Sequence, residues 1–193
     1  LLQKEKNNLI KGLQKKIEIG TVTKQDSSEN QAKLVYLAIG SNLGNKIQNI
    51  DKAKLELKTH NVKILKCSNN FESESWPDPS KPDFINIVIK AEVYCSALKL
   101  LEICKLVEKK LGRVKSKKNS PRKCDIDIID YNHNVLNLEN KLLIPHPRMV
   151  DRNFVLLPLY QIDKSWKHPK TEKSIVNLIN ALPIKDLKSI KEI

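Results

Sequence analysis

The run DFINIVIKAEV, residues 83–93, alternates so regularly that an extended strand is the conformation it specifies. Successive side chains of a strand point to opposite faces, with a period of two. Ile85, Ile87, Ile89, Ala91 and Val93 therefore share one aliphatic face, and Phe84, Asn86 and Val88 fall on the other. The first set makes a core. The second places an aromatic ring and an amide where a core strand has no need of them.

Neighbouring segments supply partners for this strand. KLVYLAIG (33–40) reads as a buried strand that ends in the turn GSNLGN. Residues 45–60 place Ile47, Ile50, Ala53 and Leu57 at helical spacing. VKILKCSNNFESESW (62–76) is a second extended segment, closed by the proline-bearing loop PDPSKP. Ser96 is placed to cap a helix running to Leu111, with Gly112 as its C-terminal stop. A basic loop and the apolar run CDIDII follow, then the turn YNHN, and LLIPHPRMVDRNFVLLPL mixes loop with short helix. The order strand–helix–strand–strand–helix–strand predicts an α+β fold. It is that of a ferredoxin-like βαββαβ sandwich, with helices packed on one face of a mainly antiparallel sheet.

The chain's 193 residues suffice for one domain with a proper core and an appendage. Residues 1–31, a weakly amphipathic stretch followed by the polar GTVTKQDSSENQ, read as a poorly ordered extension, leaving 32–193 as the domain. The first residues show neither an initiator Met nor a secretory signal. No apolar run approaches the roughly 20 residues of a membrane helix. Cys67, Cys95, Cys104 and Cys124 lack metal spacing and read as reduced core residues of an intracellular protein, which makes the cytoplasm the expected location. Neither a P-loop nor a GxGxxG fingerprint occurs.

Charge is informative through its placement. Of 35 basic residues only four are arginine, and Arg113, Arg122, Arg148 and Arg152 all lie between 113 and 152. Arginine's planar fork grips phosphate at two points, which lysine cannot do. An anion site in this region is the reading that explains the bias. Beside it, SPRKCDIDII (120–129) puts Asp125 and Asp127 on one strand face and Cys124, Ile126 and Ile128 on the other. Two carboxylates so close disfavour joint ionisation unless a cation sits between them. Without histidine or thiolate partners they suit a hard cation such as Mg2+. His146, between two prolines, has a restricted backbone that could aim its imidazole at a phosphate. Phe84 and Asn86 could stack on a flat ligand and bond its edge.

The segments YLAIGSNLGN, DFINIVI, GRV with SPRKCDIDII, and IPHPRMVDRNFVLLPL stand in one order and spacing. Over about 33–185 the chain resembles the 6-hydroxymethyl-7,8-dihydropterin pyrophosphokinase family of folate biosynthesis. The resemblance implies Mg-dependent transfer of diphosphate from ATP to the pterin's hydroxymethyl group, with release of AMP. It implies that Asp125 and Asp127 hold two Mg2+ ions, and that Asp127 also helps the hydroxyl lose its proton. Arg113, Lys115, Arg122, His146 and Arg152 are implied as phosphate contacts, Arg113 and Arg122 with a catalytic part. Leu101, Lys105, Glu108 and Ile128 are implied in the nucleotide site. Phe84 and Phe154 would sandwich the pterin, Asn86 would bond its edge beside Asp125, and Gly40, Ser73 and Trp76 would complete the pocket. Segments 73–82 and 113–120 would close over bound ATP. Lys115 stands where many members have arginine, and Asn119 where some have tryptophan. A monomer acting on ATP and a pterin, with no nucleic acid or membrane partner, is the expectation. An RNA-binding ferredoxin-like module is the rival of another class, but no RNP1 run occurs and the aspartates would repel phosphate. A DxD nucleotidyl- or glycosyltransferase is the rival enzyme, separable by its products.

Overall fold

The computed structural model describes residues 31–114, 119–138 and 141–193. The extension expected over 1–31 lies outside them, save for the exposed Gln31. In chain order come β1 (Lys33–Ser41), α1 (Lys46–Thr59), β2 (Lys63–Cys67), β3 (Phe71–Ser73), β4 (Phe84–Val93), α2 (Ala97–Lys110) and β5 (Asp125–Tyr131). A hairpin of β6 (Leu136–Leu138) and β7 (Leu142–Ile144) follows, then a 3-10 turn at Met149–Asp151. The chain goes on through α3 (Asn153–Ile162), α4 (Ile175–Asn180), α5 (Ile184–Lys188) and β8 (Ile190–Glu192).

The main sheet runs β5–β1–β4, with β2 and β3 sharing the far edge of β4 and β8 outside β3. Its pairings are all antiparallel. This is the ferredoxin-like order, with the second strand broken in two. Ser68 makes the break: its amide donates to the Val88 carbonyl at 2.9 Å, and its hydroxyl accepts from the Val88 amide at 3.0 Å.

The aliphatic face of β4 is buried as its alternation requires, with Ile85, Ile87, Ile89, Ala91 and Val93 packed against Ile50, Ala53, Leu57, Leu100 and Val107 of α1 and α2. Removing one such isoleucine from water is worth roughly 1.5–3 kcal/mol. Asn45 caps α1, its side chain accepting from the Gln48 amide at 3.0 Å. Ser96 caps α2 in the same way through Lys99, and Gly112 ends that turn at φ 92, where a side chain would be strained. Two expectations change here. Ile47 is exposed, while Asn49 and Ile50 of the same turn of α1 are buried. Cys67 is exposed at the edge of the sheet, whereas Cys104 and Cys124 are buried in the core.

Helices cover both faces, not one. Tyr36, Val88 and Ile129 point away from α1 and α2 into a second core, made with Met149, Val155, Leu156, Leu159, Trp166 and Ile175. Ile129 follows Asp125 and Asp127 on this side by alternation, and the register shift between Tyr36 and Leu37 then sets Asp130 opposite Tyr36 and turns Tyr131 to the first core. The Tyr36 hydroxyl donates to Asp163 at 2.6 Å and the Lys90 ammonium does so at 2.7 Å, tying the end of α3 to the sheet. Among the described residues no helix is long and apolar enough to cross a membrane.

Candidate functional site

The second sheet face is half core and half cleft, and the strand register decides which residues meet there. Gly40 of β1 lies between Asn86 of β4 and Asp125 of β5. One step along, Ala38 lies between Val88 and Asp127. Small residues on the central strand thus form a floor, flanked by an amide and two carboxylates. A cleft of about 490 Å3 opens above it, walled by Phe84, Phe154, Trp76, Arg113, Arg122 and Arg152, with Ser73 also in its lining.

Each aspartate is gripped by arginine. The Arg113 guanidinium donates to Asp125 Oδ1 at 2.8 Å and Arg122 to Oδ2 at 2.7 Å. Arg152 donates to Asp127 Oδ2 at 2.9 Å, and His146 Nε2 lies 3.7 Å from the same oxygen. The arginines also cover the aromatic rings: Arg122 sits 5.6 Å over Phe84, and Arg152 sits 5.5 Å over Phe154 and 5.6 Å over Trp76. Such cation–π contacts are attractive even when partly hydrated. The Nε atoms of Arg122 and Arg152 are buried with no hydrogen-bond partner among the described residues. Donors left in that state are costly, while other edges of these guanidinium groups line the cleft.

Asn42, which the motifs did not single out, bolts the rim together. Its side chain accepts from the Arg122 amide at 2.8 Å and donates to the Pro82 carbonyl at 3.0 Å. Its signal in the sequence is only its place in the turn GSNLGN. Arg148, also not among the predicted contacts, lies 5.6 Å over Trp76. Ser73 accepts from the Asn86 amide nitrogen at 3.0 Å, which fixes the orientation of that amide on the floor. The His146 amide donates to the Ile129 carbonyl at 3.1 Å, holding the proline-flanked loop against β5. Burial keeps its imidazole below the ordinary histidine value, against the pull of Asp127.

Some predicted contacts stay outside the cleft. Leu101 packs partly on the first core and Lys105 is exposed on α2. Ile128 has its side chain in that core, so any part it plays toward a nucleotide is limited to its backbone. Lys115 lies outside the described residues, as do 116–118 of the second covering segment. Asn119, at its far end, has φ 62, a left-handed conformation that asparagine tolerates better than bulky residues do.

Glu108 is buried behind β5, where its Oε1 accepts from the Ile126 amide at 2.8 Å and from Arg113. Burial pushes its carboxyl up from 4.5 to about 7, against the pull of the Ile126 amide and Arg113. The folded chain therefore holds this proton more tightly than the unfolded chain does. The stability this contributes is present below the unfolded value and is lost as pH rises through the folded one. Glu108→Gln does not titrate. Wild type should lose stability relative to it between pH 4.5 and about 7, measured by denaturant unfolding at a series of pH values. Parallel curves would show that Glu108 does not titrate in that window.

Asp125 and Asp127 offer hard oxygen ligands, and no group of three or more His, Cys, Asp or Glu converges among the described residues. That donor set fits Mg2+, which takes few carboxylates and completes its shell with phosphate oxygens and water.

A family model described as 7,8-dihydro-6-hydroxymethylpterin-pyrophosphokinase (HPPK) matches residues 36–164. The chain is 37% identical over 169 residues to the folic acid synthesis protein fol1 of Pneumocystis carinii, covering 88% of this chain and 22% of that protein. It thus spans less than a quarter of that relative's length. It is 38% identical over 142 residues to the 2-amino-4-hydroxy-6-hydroxymethyldihydropteridine pyrophosphokinase of Aquifex aeolicus, covering 73% of this chain and 87% of that enzyme. The fold matches a Plasmodium falciparum HPPK-DHPS crystal structure with pterin and p-hydroxybenzoate at TM-score 0.65 and 16% identity, covering 86% of this chain and 48% of that one. By the span of the family model and the identity to full-length members, the chain belongs to the 7,8-dihydro-6-hydroxymethylpterin-pyrophosphokinase family.

Proposed function

We propose that this chain transfers the diphosphate of ATP to the hydroxymethyl group of 6-hydroxymethyl-7,8-dihydropterin and releases AMP. One observation carries the reading: a single sheet face joins two carboxylates, three arginines and two aromatic walls around an amide. The arginines that line the cleft bind the triphosphate through their guanidinium forks. Asp125 and Asp127 hold Mg2+, two ions in this reading, and the bound metal supplies neutralisation of the phosphate charge. The pterin lies flat between Phe84 and Phe154, with Asn86 at its edge and Ser73 holding that amide in place. Asp127 takes the hydroxyl proton. A bond forms between the hydroxymethyl oxygen and the β-phosphorus, and the bond from that phosphorus to the α–β bridging oxygen breaks. Positioning and charge stabilisation do most of the work in such transfers. The unit that acts is 32–193, a monomer in the cytoplasm.

Purified protein given ATP, Mg2+ and the hydroxymethyl dihydropterin should form AMP in step with the pterin diphosphate. ADP, or AMP joined directly to the acceptor with free pyrophosphate, would overturn the reading. Phe154→Ala should weaken pterin binding by about 1–3 kcal/mol, the worth of an aromatic stacking partner, with ATP binding near normal. Equal losses for both ligands in calorimetry would mean that Phe154 serves only as core.

A further inference from the structure

The matched family span ends at residue 164, but residues 183–193 are fastened to both walls of the cleft. β8 pairs with β3 in the register Phe71↔Glu192, Glu72↔Lys191 and Ser73↔Ile190. On its other side β3 pairs with β4, where Phe71 meets Asn86 and Ser73 meets Phe84. β3 is only three residues long, and without β8 it would be an open edge held from one side. Yet it carries Ser73, whose hydroxyl orients the Asn86 amide.

The second fastening is to α3. Asn153 is buried at the start of that helix, immediately before Phe154. Its side-chain nitrogen donates to the Asp186 carbonyl and, at 3.3 Å, to the Ser189 hydroxyl, while its oxygen accepts from the Phe154 amide at 2.7 Å. Further along α3, Gln161 donates to Glu192 at 3.0 Å and accepts from the Asn69 amide at 2.7 Å. Leu187 packs on the second core. One short segment therefore joins the strand wall bearing Ser73, Asn86 and Phe84 to the helix start bearing Phe154. Asp125, Asp127, Arg113 and Arg122 of the phosphate end lie on other elements, which this segment does not touch through these bonds; Arg152 caps α3 beside Asn153, and none of these bonds goes to its side chain.

We propose that residues 183–193 form a strap that sets the width of the slot between Phe84 and Phe154, and so act as a positioning segment for the flat heterocycle. The inference rests on the pterin reading of the cleft. Its mark is selectivity: loosening the strap disturbs the pterin and spares ATP, because a shift of about 1 Å in a positioning group can cost on the order of a hundredfold.

The test measures both dissociation constants by calorimetry, with the dihydropterin titrated in the presence of a non-hydrolysable ATP analogue and Mg2+. The forms compared are the full chain, a form lacking 184–193, and Asn153→Ala in the full chain. The truncated form should bind the pterin at least about tenfold more weakly, and Asn153→Ala about fivefold, with the ATP analogue within about twofold in both. Unchanged pterin binding, or a parallel loss for both ligands, overturns the strap. Should the truncated form fail to fold, shown by circular dichroism, Asn153→Ala decides alone. An unaltered chain that does not bind the pterin overturns the functional reading and the strap together. Variants that match the unaltered chain overturn the strap only.

Discussion

Asp125→Asn and Asp127→Asn should each lower turnover by about 10²–10³-fold, the cost of removing one preorganised electrostatic group from an active site. Each change removes a charge and nearly keeps the shape. In a merely solvated edge, relieving two neighbouring carboxylates would leave stability unchanged or slightly higher. The structure changes that expectation, because the pair is not solvated alone: Arg113 and Arg122 hold Asp125, and Arg152 holds Asp127. Arg113 keeps 38% of its side chain in solvent, so losing its pair costs no more than about 1 kcal/mol. The Asp125 variant should therefore stay folded and be slightly less stable, the Asp127 variant should lose more because its partner Arg152 is buried, and both should require more Mg2+ for whatever activity remains. Turnover assays across a Mg2+ series, with circular dichroism as the check on folding, decide the matter. A folded double variant releasing AMP at near the wild-type rate would return the carboxylates to a structural role.

Gly40→Val should cut pterin binding by about a hundredfold, the cost of displacing a positioning group by roughly 1 Å, while ATP binding changes little. A Cβ at this position would stand 2.9 Å from Asn86 Oδ1 and 3.2 Å from Phe84 Cδ1. Neither neighbour can yield freely. The Asn86 amide is held by Ser73, and Phe84 belongs to the same strand under the Arg122 guanidinium. The branched side chain would rise from the floor between the amide and Asp125, where the heterocycle must lie. Strand pairing tolerates valine well, so the fold should persist. Pterin affinity within about threefold of wild type would show that the ligand does not rest on this floor.

These effects were unequally visible in the chain. The alternation in 83–93 announced both faces of β4, including the odd pairing of Phe84 with Asn86 on the face opposite the aliphatics. The Asp–x–Asp spacing announced two carboxylates on one face of β5. Both are local: a period of two needs only the strand itself. The arginine bias announced where an anion would be met, and Ser96 and Gly112 announced the ends of α2 to within a residue. The covering of the second face was not visible in the same way. α3 is ten residues long and includes Pro158, which reads in isolation as a breaker. It forms because Val155, Leu156 and Leu159 find Tyr36, Val88 and Ile129 from three separate strands.

By itself the sequence determined the strand faces, the order of elements and the stock of chemical groups, because propensity, alternation and capping act between near neighbours. Only the tertiary structure decided which groups meet. Strand register set Gly40 between Asn86 and Asp125, and packing turned Glu108 under Ile126 and Ile128 away from the cleft. It brought Arg152 onto Asp127 across 25 residues, and Asn42 onto Arg122 across 80. β8 is the plainest case. Its three residues carry no periodicity that could announce a strand, and their conformation is supplied by the exposed edge of β3, which exists only once the rest of the sheet has formed.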